Sequence, residues 1–104
     1  MVTKSVSLSN PIYKILQQTT GDSDINSALS KILKDFFHLK IQALQEKISF
    51  YEKKYNMSFT DFEEACKNGI IDNSLSYEIE KDNWDWDASI IEMEDLMEYD
   101  QWLS

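Results

Sequence analysis

Residues 24–55 run for 32 positions without a glycine or a proline, and this one stretch limits the folds open to the chain. Apolar side chains recur through it at helical spacing: Ile25, Leu29, Ile32, Phe36, Leu39 and Ala43 stand 4, 3, 4, 3 and 4 apart. A second stripe follows through Leu33, Phe37, Ile41, Leu44, Ile48, Tyr51 and Tyr55. The spacing predicts one helix roughly 45–50 Å long at 1.5 Å per residue. That exceeds the diameter of any core that 104 residues can build alone. Two apolar stripes on different faces require two contacts, so the helix is expected to pack in an oligomer. With two glycines and one proline, the chain lacks the reversals that an all-β sandwich or barrel needs.

The flanks carry start and stop signals. Val2, Val6 and Leu8 alternate with Thr3, Ser5 and Ser7, the period of a short strand. Asn10-Pro11 then opens a first helix, with Ile12, Ile15 and Leu16 on its buried side and Gly21 at its end. Asp22, Ser23 and Asp24 place cap-type residues and negative charge at the start of the long helix. Ser58 and Asp61 form a capping-box variant, and Met57 and Phe62 a hydrophobic staple, so a third helix is predicted from Phe59 to about Lys67. Leu75, Tyr77 and Ile79 alternate with Ser76, Glu78 and Glu80, which favours an extended segment. From about Asp85, Trp86, Ile90, Met93 and Met97 mark one side of an acidic amphipathic helix.

Charge divides the chain in two. Residues 1–54 carry eight lysines and five acids, whereas residues 55–104 carry two lysines and fourteen acids. The expected organisation is a dimerising half, 1–54, and an acidic partner-binding tail, 55–104. There is no arginine, which weighs against bidentate phosphate or guanine recognition. A single cysteine, Cys66, cannot close an internal disulfide and fits a reducing compartment. Residues 1–9 hold no apolar core of signal-peptide length, and nowhere do 18 apolar residues run together, so a cytoplasmic protein without a membrane span is expected.

The residues for catalysis are sparse. His38 lies between Phe37 and Leu39 in mid-helix, and Cys66 sits near the end of the third helix without an adjacent base or a positive pocket to activate it. No phosphate loop or zinc spacing is present. The run from Asp82 to Asp87 lacks the glycine and glutamate of a calcium loop. Neither an enzyme nor a cofactor is expected.

Tyr77, Trp84, Trp86, Ile90, Met93, Met97 and Trp102 instead mix large apolar surface with acids in one segment. These side chains either pack back on the long helix or anchor a basic partner while the acids steer it. The coincidence of anchor and steering charge favours the second.

The order strand, Asn-Pro helix start, Gly turn and second helix, within residues 2 to about 40, resembles the small dimeric repressors of ribbon-helix-helix type. That resemblance implies a mainly α fold with a short N-terminal strand, and two strands from two chains pairing in the major groove of operator DNA. It also implies Thr3, Ser5 and Ser7 facing the bases, and Val6, Leu8, Ile25, Leu29, Ile32 and Phe36 in the dimer core. In that family the start of the second helix holds a phosphate; the matching positions are Asp22, Ser23 and Asp24. The run from Tyr51 through Tyr55, Met57 and Phe59 to Phe62, followed by an acidic stretch rich in tryptophan, looks like the tails of prokaryotic antitoxins paired with small ribonuclease toxins. The function so implied is a homodimeric antitoxin that covers a basic, RNA-cutting partner and represses its own operon. A plain DNA-binding regulator, and a helical dimeric scaffold without nucleic acid, are the rival readings.

Overall fold

The computed structural model of the chain describes residues 5, 7–71 and 76–103. Four helices follow in order: α1, Asn10–Thr20; α2, Ile25–Tyr55; α3, Phe59–Lys67; and α4, Tyr77–Trp102. The molecule is long and narrow, 58 × 29 × 21 Å with a radius of gyration of 19.9 Å. A compact chain of this length would have a radius of gyration of about 13 Å.

The caps explain where each helix starts and stops. Ser9 precedes α1, Pro11 sits in its first turn, and Gly21 closes it in a left-handed conformation at φ 69°. Asp24 caps α2 by accepting from the Ser27 N–H at 2.9 Å. Asn56 ends that helix at φ 53°, a left-handed position that asparagine tolerates better than most residues. Ser58 accepts from the Asp61 N–H and starts α3 at Phe59.

α4 turns back and runs antiparallel along α2, since Lys54 meets Glu78 while Lys40 meets Glu92. The second apolar stripe of α2 faces it: Leu44 and Tyr51 are buried, with Ile48 and Tyr55 beside them. The core lies at one end of this hairpin, where α3 closes over it. Trp86 and Phe62 are both 0% exposed there, packed with Tyr51, Tyr55, Phe59 and Ile79. The rings of Tyr51 and Tyr55 stack on Trp86 at 5.7 and 6.0 Å. Phe59 meets the same indole edge-on at 5.2 Å, and Phe62 lies at 5.2 Å. At the other end α1 packs on the start of α2, where Ala28 is 1% exposed. Lys31 ties the two together through Asp22 and the Thr20 carbonyl.

Three expectations need correction. No strand occurs among the described residues: Ser5 and Ser7–Ser9 have no regular structure, and Thr3 and Val6 lie outside the described residues. A strand needs a neighbour to accept and donate its ladder hydrogen bonds, and the four helices offer none. The described residues form a helical hairpin with two short flanking helices, not a ribbon-helix-helix. The extended segment expected around Tyr77–Ile79 is the first turn of α4, started by Ser76, which accepts from the Ile79 N–H. Glu78 and Glu80 suit the positive end of that helix, and Ile79 packs in the core, so the apparent alternation is the edge of a helical stripe. Finally, one of the two stripes of α2 finds its partner within the chain, so only the other calls for a second molecule. No helix among the described residues is long and apolar enough to cross a membrane.

Candidate functional site, the outer face of α4

The inward side of α4 belongs to the fold. Asp82 is buried beside Tyr55 and Lys54, and both donate hydrogen bonds to its Oδ2. Asp85 accepts from the Tyr51 hydroxyl and from Lys47, the latter at 2.8 Å. Lys40 and Glu92 approach to 3.0 Å, and His38 and Asp100 to 3.1 Å. This row of contacts joins the lysines of α2 to the inner acids of α4.

Burial and the Asp85 hydrogen bond raise the Tyr51 hydroxyl well above its ordinary pKa. Burial and Asp82 push Tyr55 up to about 12. The Lys47 ammonium, then the Tyr51 hydroxyl, hold Asp85 below the usual carboxylate range. Lys54 is raised by its hydrogen bonds to Asp82 and Glu78. These are locking contacts with every partner in place, and none of them is poised for proton transfer.

The outward side is different. Tyr77, Trp84 and Ile91 follow one another at intervals of seven, so they share one face of α4. Trp102 falls on the same face, 25 residues or nearly seven turns from Tyr77. Their exposures are 75%, 67%, 51% and 71%, unusual for side chains of this size. Asp87, Glu94, Asp95 and Glu98 are exposed along the same helix and make no salt bridge among the described residues. The result is an aromatic row roughly 38 Å long, flanked by carboxylates that no described lysine pairs with.

The residues expected to bind a partner therefore divide. Tyr77, Trp84 and Trp102 stand on the outer face. Trp86 is in the core, Ile90 packs against it, Met93 is half-buried and Met97 is 40% exposed near the hairpin's open end. Trp86 is corrected from partner anchor to core residue, because its indole fills the gap where α2, α3 and α4 meet. Its Nε1 has no acceptor among the described residues, consistent with a packing role. Ile91 was not singled out from the sequence, although the interval of seven from Tyr77 and Trp84 marks it once the helix is known to start at Tyr77. The segment from Tyr51 to Phe62, which carried the likeness to antitoxin tails, is largely the wall of the same core.

The residues expected to pair two chains divide as well. Leu8, Ile25 and Leu29 are half-buried, while Ile32 and Phe36 are 40% and 53% exposed. Of the residues expected to read DNA, Ser5 and Ser7 are exposed and Thr3 is outside the described residues. The N-terminus of α2, which the resemblance assigned to a phosphate, is occupied by the chain's own Asp24 carboxylate, with Asp22 beside it accepting from the Asp24 N–H at 2.9 Å.

His38 borders an open groove of about 360 Å³ formed with Thr19, Thr20, Lys31, Ile32, Lys34 and Asp35. Cys66 packs against the core, where burial, and then Glu63, push its thiol up. Since that core lies around Tyr51, thirteen residues along α2 from His38, the two are separated by about 20 Å. No Cys/His pair forms. Among the described residues no group of three metal-ligating side chains converges. Compared with protein-family models, with curated proteins and with solved structures, the chain matches none.

Proposed function

We propose that the chain is a binding protein that captures a basic protein on the outer face of α4 and masks its surface. In its specific form it is an antitoxin that covers a small, basic, RNA-cutting toxin in the cytoplasm. The observation that carries this reading is the row Tyr77, Trp84, Ile91 and Trp102, half or more exposed, beside acids that form no salt bridge among the described residues. Aromatic side chains supply most of the binding energy at interface centres, and unpaired carboxylates speed the encounter with a cationic surface. An RNA-cutting enzyme needs a basic surface for phosphate, and an acidic helix laid on that surface excludes the substrate. The single cysteine suits a reducing compartment.

The test is co-expression with the product of the adjoining reading frame, scored by growth and by co-purification. Point variants are preferable to removing the acidic half, because a cut after Lys54 would strip Phe62 and Trp86 from Tyr51 and unmake the core. Trp84→Ala with Trp102→Ala is expected to lose co-purification while the fold is retained. If the doubly substituted chain protects cells as well as the unaltered one, the outer face of α4 is not the binding surface.

A further inference from the structure

Beyond Leu29, the first apolar stripe of α2 is covered by no helix among the described residues. Ile32, Phe36 and Leu39 are 40%, 53% and 69% exposed, and Phe50, further along the same seam, is 60% exposed. With Ala43 they keep the intervals 4, 3, 4 and 7, the a and d positions of a heptad repeat. The stripe lies roughly a third of a turn around α2 from the face covered by α4. We infer that this seam joins two copies of the chain, α2 against α2 and antiparallel, into a four-helix core of two α2–α4 hairpins.

Three features select a second copy over other occupants. The first is area. Each of the four large side chains leaves on the order of 100 Å² uncovered, so a symmetric pair, with the stems between them, buries on the order of 1,000 Å² in total. That reaches the size of a specific interface.

The second is charge around the seam. Lys40, Lys47 and Lys54 edge it and are already engaged by the inner acids of α4. Along the seam itself Asp35 and Glu46 stand against Lys53, a mixed charge without the run of acids that would draw a basic partner to the outer face of α4.

The third is register. Continuing the repeat, Glu46 and Lys53 take core-facing positions. A parallel pair would bring Glu46 against Glu46 and Lys53 against Lys53, like charges held together in an apolar seam. An antiparallel pair centred between Leu39 and Ala43 avoids this. Ile32 then faces Phe50 of the other copy, Leu39 faces Ala43, and the two Glu46 side chains lie about 15 Å apart. The small Ala43 opposite the larger Leu39 makes both layers equal in volume. The outer faces of both α4 helices remain uncovered, so the dimer would present two copies of the proposed binding face.

Sedimentation equilibrium of the full chain tests this. Two copies each carry a formal charge of −9, so an apolar dimer between them should tighten as salt rises. Capture of a basic protein should weaken under the same change, which separates this inference from the function proposed above. The unaltered chain is expected to be a dimer at micromolar concentration. Leu39→Lys and Phe36→Lys should each weaken it by about thirtyfold or more, with the helical circular dichroism of the monomer retained. Trp84→Ala should leave dimerisation unchanged.

A chain carrying Cys66→Ser and a single new cysteine, Ile32→Cys or Phe50→Cys, sets the direction. The mixture of these two variants should form the crossed disulfide in preference to either self-pair. A monomer at all these concentrations, a dimer indifferent to Leu39→Lys and Phe36→Lys, or self-paired disulfides would each overturn the inference.

Discussion

Replacing Trp86 by alanine, beside the same replacement at Trp84, tests how α4 is rotated on α2. The two residues are neighbours but one in sequence and lie on opposite sides of the helix. Trp86 is 0% exposed and has the rings of Tyr51, Tyr55, Phe59 and Phe62 at 5.2 to 6.0 Å. Removing a tryptophan so enclosed leaves a cavity under three helices and costs ~3–5 kcal/mol. Its Nε1 has no acceptor among the described residues, so no hydrogen bond is lost, which draws the figure toward the lower end. Against a total of ~5–15 kcal/mol for a domain, that is a large share of the stability. At roughly 4 °C or more per kcal/mol, the melting temperature should fall by at least about 12 °C.

Trp84 is 67% exposed, so its truncation should change stability by no more than about 0.5 kcal/mol and move the melting temperature by no more than a few degrees. Thermal melts by far-ultraviolet circular dichroism, with urea midpoints at matched slope, give both numbers. If Trp84→Ala destabilises as much as Trp86→Ala, the inner and outer faces of α4 have been assigned wrongly, and the proposed binding face fails with them.

Other consequences follow from the same contacts. Asp85 is held below its ordinary pKa, so it contributes stability above about pH 4 and loses that contribution as pH falls through its lower folded value. Tyr55, raised to about 12, contributes fully below pH 10 and loses its contribution as pH rises from 10 towards 12. Urea midpoints should therefore be level near neutrality and drop at both ends, and a chain with Tyr55→Phe should lose part of the alkaline drop. Ser58→Ala removes the acceptor for the Asp61 N–H and should cost ~1 kcal/mol of stability, read from the same midpoints. Asp95→Asn with Glu98→Gln should slow association with a basic partner and flatten its salt dependence, measured by stopped flow, while leaving the dissociation rate nearly unchanged. An unaltered salt dependence would remove those acids from the steering role.

The long helix was legible because its signals are local. Absence of Gly and Pro through 24–55 and cap-type residues at Asp22–Asp24 marked α2, and Ser58 with Asp61 marked α3 in the same way. Each of these depends on backbone hydrogen bonds within a few residues, so the sequence carries the information directly. The two stripes of α2 were equally readable, but not which of them the chain would cover by itself.

That depended on α4. Its start was hidden because Leu75, Tyr77 and Ile79 alternate like a strand, and only the cap at Ser76 with the packing of Ile79 decides for helix. Its rotation was hidden because both of its faces carry aromatic residues and acids, so periodicity alone cannot say which side turns inward. The pairing of Asp82 and Asp85 with Tyr55 and Tyr51, and the fit of Trp86 among four rings, select one rotation. Charge asymmetry between the halves was plain in the sequence. Its division into acids that lock α4 to α2 and acids left facing solvent was not, because it depends on which carboxylates lie within reach of a lysine twenty-four or more residues away in the chain. Helix and cap follow from neighbours in sequence, whereas the binding face is what remains after side chains distant in sequence have found one another.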